Sequence, residues 1–134
     1  MKKIFLFAAL LGGANHLYAQ DKNALAKDVF EPLRQNTTRV VMDDDPKSYV
    51  LQHPVMQQDA ELITIQSGEK TINVSLRDVS RMTLENYGVV FSNRDQEVTF
   101  YMDLKHNPAL RERIRDAFGA YTEERDRKRY TVRE

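Results

Sequence analysis

The sequence predicts an α+β domain: an antiparallel meander or partly closed barrel of about seven short strands, with a short helix before it and an amphipathic helix after it. Three observations predict this. Apolar residues alternate with polar ones from Thr38 to Met102, the half-buried strand pattern. Short runs with that alternation are divided by turn residues, which joins neighbours antiparallel. Beyond Asn107 the apolar spacing lengthens to that of a helix.

The chain opens MKKIFLFAALLGGANHLYAQ. Two lysines precede an apolar run, and a polar stretch then leads to Ala19, the layout of a secretory signal peptide over residues 1–20 cut after Ala19 or Gln20. The run is shorter than the roughly 20 residues that cross a bilayer, and the mature chain has no apolar run that long. A periplasmic or secreted protein is expected. There is no cysteine, so no lipoprotein anchor, disulfide or thiol nucleophile is available. A mature chain of about 115 residues supports one hydrophobic core. The 20 basic and 20 acidic residues balance, and loss of the two leader lysines makes the mature chain slightly acidic. A nucleic-acid partner, which calls for a basic excess, is not expected.

The first mature element is a helix over 21–36. Asp21 or Asn23 can cap it, and Leu25, Val29 and Leu33 share a face. Pro32 biases Glu31 out of helical backbone, which predicts an end near Phe30. A single α+β domain follows over 37–121. TRVVM (38–42) and KSYVLQ (47–52) read as strands around the turn DDDP, and HPVMQQD (53–59) as a connector. AELITIQ (60–66) and KTINVSL (70–76) flank a loop in which Gly68 supplies positive φ. RMTLE and VVFS flank a turn at Asn86 and Gly88, and QEVTFYM (96–102) follows SNRD. In TINVSLRDVSRMTLEN, residues 71–86, Ile72, Val74, Leu76, Met82 and Leu84 point inward. The hydroxyls and charges between them point outward, as on any wet sheet face.

The last helix begins with Asn107 as cap and Pro108 at its first position. Leu110, Ile114, Ala117, Phe118 and Tyr121 form one apolar stripe. Residues 122–134 continue without a stripe, as a charged helical extension or tail.

The segments INVSLRDVSRMTLEN, VVFS, EVTFYM and PALRERIRDAF, within residues 38 to 121, resemble the pleckstrin-homology-like superfold in its bacterial form. The resemblance implies a bent seven-stranded barrel closed at one end by the C-terminal helix. Phosphoinositide-binding members carry basic clusters in the first hairpin loops. DDDP and SGEK carry none, so the resemblance transfers no lipid-binding residue. The N-terminal helix is additional to that fold. A helix followed by a meander also looks like the cystatin-type arrangement, whose loop motif is missing.

Little in the sequence points to catalysis. His53 and His106 lack a second histidine at metal-binding spacing, and no nucleophile elbow occurs. Asp43, Asp44 and Asp45 are consecutive, without the alternate ligands, glycine and distal glutamate of a calcium loop. No catalytic residue, metal or cofactor is expected, and the chain reads as no enzyme. The residues singled out for partner binding are Asp43, Asp44, Asp45 and His53 near turns, with Glu123, Arg125, Arg127 and Arg129 in the mixed-sign tail. The function expected is an exported binding or adaptor module for a protein or envelope component. The alternative is a periplasmic inhibitor or immunity-type protein that blocks a hydrolase.

Overall fold

The computed structural model describes the backbone of residues 13–44 and 46–132 and the side chains of 22–44 and 46–127. Residues 1–12 of the expected leader lie outside it. Helix α1 spans Gly13–Asn36. Eight strands follow: β1 Arg39–Asp44, β2 Lys47–Gln52, β3 Val55–Asp59, β4 Leu62–Ser67, β5 Lys70–Ser75, β6 Arg81–Glu85, β7 Gly88–Ser92 and β8 Glu97–Tyr101. A 3-10 turn, Leu76–Asp78, links β5 to β6, and helix α2 covers Pro108–Val132.

The strands form two antiparallel sheets, β2-β1-β8-β7-β6 and β3-β4-β5. The barrel is therefore not closed. HPVMQQD is a strand rather than a connector: Val55 to Asp59 pair with Gln66 to Leu62 of β4. Its glutamines hid the alternation, since only Met56 is a buried apolar residue there. His53 and Pro54 alone separate β3 from β2, and His53 takes φ of 45°, a left-handed conformation uncommon outside glycine. The chain turns a corner there, so β2 and β3 act as one bent strand that passes from one sheet to the other. Counted so, the meander has the seven strands expected, and its order with a C-terminal helix is pleckstrin-homology-like.

Register settles which side faces the core. Directly opposed residues project to the same face. Leu51, Val40, Phe100, Val89 and Leu84 form one inward row of the five-stranded sheet, and Tyr49, Met42, Val98, Phe91 and Met82 the next. All ten belong to the core or pack against it. Met56, Ile63, Ile65, Ile72 and Val74 supply the inner face of the other sheet. Gly88 approaches β8 so closely that a Cβ would stand 2.1 Å from the Phe100 carbonyl oxygen, which only glycine avoids.

Asn107 Oδ1 accepts the Leu110 N–H at 3.2 Å and Pro108 opens α2, as the capping signals predict. Leu110, Ile114, Phe118 and Tyr121 are buried, and the Phe118 ring stacks on Phe91 with centroids 5.6 Å apart. The extension stays helical to Val132. Helix α1 packs against α2, with Ala26, Val29 and Leu33 fully buried, so it shares the domain's one core. It does not stop near Phe30. Pro32 sits in the last turn, where burial of Phe30 and Leu33 holds the helix, and Asn36 Nδ2 donates to the Pro32 carbonyl at 2.8 Å.

Candidate functional site

The two sheets part between β5 and the β7–β8 turn. The hydrogen bond from Leu76 N–H to the Glu61 carbonyl, 2.9 Å, sets the alternation along β5. Ile72 and Val74 turn their backbones to β4, and Thr71, Asn73 and Ser75 turn theirs away from it. β5 has no strand on that side. The opening holds a cleft of about 240 Å³. Val74, Val79, Phe91 and Val98, all buried, form its floor, and Asn73, Ser75, Asp78, Ser92, Asn93 and Gln96 its polar rim. The cleft has an apolar base and a backbone edge, but no convergent set of titratable groups for chemistry.

A second cleft, about 380 Å³, lies between the β1–β2 and β7–β8 turns. Asp43, Lys47, Ser48, Arg94, Asp95 and Glu97 line it. Asn93 and Gln96 belong to both clefts, so the β7–β8 turn is their common wall. Asn93 Oδ1 accepts the backbone N–H groups of Asp95 and Gln96 at 3.0 and 2.9 Å, which fixes that turn.

The residues singled out from sequence are not gathered together. Asp43 and Asp44 end β1 at the second cleft's hairpin, and Asp45 lies outside the described residues. His53 is exposed at the corner between the sheets. Glu123 is exposed on α2, and the Arg129 side chain lies outside the described ones. Arg125 points inward. Its side chain is 9% exposed, and Nη1 donates to the carbonyls of Leu76 at 3.0 Å and Val79 at 2.7 Å. It serves the interior by satisfying the 3-10 turn beside the first cleft. Arg127 pairs with Glu124, which is buried. Among the described residues no group of three or more histidine or acidic side chains could hold a metal ion, and no helix is long and apolar enough to cross a membrane.

Sequence reading missed the polar clasp at the β3–β4 turn. Tyr121 donates its hydroxyl to Glu61 Oε2, and Lys22 Nζ holds Oε1 at 3.0 Å. Burial raises the Glu61 pKa, but the hydrogen bonds from Tyr121 and Lys22 outweigh it and leave the carboxyl below its ordinary value. Burial, then the bond to that carboxylate, pushes the Tyr121 hydroxyl well above its usual range. This clasp ties both helices to the β3–β4 turn. The only sequence signal was a tyrosine, a residue with a polar tip, ending an apolar stripe.

No family model matches the chain, and no curated protein matches it. A solved structure, described as "PH domain from TgAPH", is similar to 77% of this chain and 96% of its own, at 12% identity and a TM-score of 0.44.

Proposed function

We propose that the chain is a non-enzymatic binding module, exported by its leader, which takes an extended segment of a protein partner along the free edge of β5. The observation that carries this reading is the edge itself. Asn73 and Ser75 direct their backbone groups into a cleft with an apolar floor, where an added strand gains main-chain hydrogen bonds and buries alternate side chains. A cleft of about 240 Å³ is smaller than the few hundred Å³ usual for a small-molecule pocket, which favours one or two side chains of a polypeptide. The envelope as the place of encounter rests on the signal-peptide pattern of residues 1–20.

Asn73→Pro tests the site. It removes an outward N–H, which an edge strand tolerates, while Val74→Pro removes one directed at β4. Partners are captured from envelope extract with wild-type protein and identified by mass. Loss of capture by a folded Asn73→Pro protein supports edge recognition, and unchanged capture refutes it. The intact mass of protein recovered from the periplasm or medium tests export. A product that retains Lys2 and Lys3 refutes it.

A further inference from the structure

We infer that the partner segment is read through one neutral apolar side chain preceded by a basic residue, with Gln96 holding the segment's far edge; this rests on strand addition along β5 and names the chemistry that such a strand must carry.

The register of β5 sets how many side chains can enter. Residues directly opposed on neighbouring strands project to the same face. Val74 faces the core and belongs to the floor of the cleft, so the segment residue opposite Val74 points down into it. The residues on either side of this anchor lie opposite Asn73 and Ser75. They exchange main-chain hydrogen bonds with them and project outward. The next inward positions of β5 open no second hole. Ile72 is buried and does not line the cleft. Leu76 has left the strand for the 3-10 turn, and Val79, which follows that turn, is itself part of the floor. Arg125 Nη1 donates to the Val79 carbonyl at 2.7 Å, which keeps this end in place. One side chain enters.

Its chemistry follows from the lining. Val74, Val79, Phe91 and Val98 offer no polar side-chain atom, and a charge buried over them without a partner is costly. The anchor is neutral and apolar. Asp78 is the charged residue of the lining. It is exposed and takes part in no ion pair among the described residues. Asp78 follows Ser75 by three residues, so the flank opposite Ser75 lies nearer to it than the flank opposite Asn73. A base there is attracted and an acid repelled. Antiparallel addition, the more stable per residue, places that flank just before the anchor. The motif is a base, an apolar residue and a polar residue.

A strand lying in a gap has a second edge to satisfy. The anchor residue turns its own N–H and C=O away from β5, as alternation between paired and unpaired positions requires. They face the β7–β8 turn, where Asn93 and Gln96 line the cleft. A carboxamide both donates and accepts. Asn93 Oδ1 is committed to the turn, where it holds the Gln96 N–H at 2.9 Å. The Gln96 carboxamide has no partner among the described residues, and its backbone is fixed, so it is the group placed to meet the anchor's main chain.

Random nine-residue peptides displayed on phage and selected on the purified protein provide the test. Enriched peptides should share a single apolar position with polar neighbours, the one before it lysine or arginine. In the tightest of them, alanine at the anchor should weaken binding at least roughly tenfold. Glutamate in place of the base should weaken it several-fold, and salt should shrink that difference. Gln96→Ala should weaken binding about three- to tenfold with an unchanged melt. Bound peptide should slow amide hydrogen exchange at Asn73 and Ser75, a readout that needs no variant to fold. If exchange at both is unmoved, strand addition at β5 is refuted and the motif with it. If exchange slows there, strand addition stands, and the motif is refuted by peptides that carry two alternating apolar residues, tolerate alanine at the anchor, favour an acid before it, or bind Gln96→Ala as tightly as wild type. A selection that enriches no peptide refutes both.

Discussion

Tyr121 and Arg125 lie one helical turn apart on α2, and each spends its polar end on backbone or carboxylate that the fold has buried. Tyr121→Phe keeps the ring in the core and removes the hydroxyl from Glu61. A hydrogen bond to a charged group is worth about 1.5–3 kcal/mol, so urea denaturation at neutral pH should show a loss of that size. Because the folded Glu61 pKa lies below its ordinary value of 4.5, its contribution is present above that value. It is lost as pH falls through the lower folded value. Tyr121→Phe should therefore flatten the acid limb of the stability curve as well as lower its plateau. Arg125→Ala takes the donor from the Val79 carbonyl, while Leu76 keeps the Val79 N–H, for about 1–3 kcal/mol, whereas Glu123→Ala should stay within about 0.5 kcal/mol. Thermal melts of the two variants separate an inward residue from an outward one in the same charged run. Sequence alone did not separate them, because composition cannot show that the turn at Leu76–Asp78 comes to rest beneath one of seven consecutive charged side chains.

Elements were most readable where their period was carried by apolar residues and their ends by caps. Asn107, Pro108 and the stripe to Tyr121 predicted α2 because local rules and burial agree there. Two elements were misread where they disagree. In α1, the local penalty of Pro32 is outweighed by burial of Phe30 and Leu33. In β3, glutamines on a sheet rim left one buried methionine to mark the strand, and its pairing with β4 is a tertiary fact. The cleft beside β5 was unreadable for the same reason. Val74, Phe91 and Val98 look like ordinary core positions until the gap between the sheets sets them under an opening. The stripe of α2 carries the element's own prediction. Phe118 stacks between Phe91 and Tyr121, and Phe118→Ala should cost roughly 3–5 kcal/mol. That is a large share of the roughly 5–15 kcal/mol that holds a small domain. Circular dichroism at moderate temperature should show a protein largely unfolded, and a native melt would mean that α2 does not close the sheets.

At the scale of the molecule, α1 decides what the folding unit is. The sheets and α2 form the arrangement expected from the strand pattern, yet α2 alone does not cover the core. Ala26, Val29 and Leu33 of α1 are fully buried, and the Lys22–Glu61 ion pair fastens the start of that helix to the β3–β4 turn. A chain beginning at Thr37 would bare that side of α2 and of β3. Its exposed apolar surface should bind a hydrophobic dye and its aromatic near-ultraviolet signal should collapse. A chain beginning at Asp21 retains Lys22 and every described buried side chain, so its melting temperature should match that of the longer chain. The position matters because cleavage after Ala19 or Gln20 falls just ahead of Lys22. If the Asp21 form melts well below the longer chain, the segment before Asp21 is part of the folded unit, and a removable leader ending there is no longer tenable. If the two melt together and the Thr37 form fails, the structural boundary lies between residues 21 and 37, where a processed N-terminus would preserve the whole core.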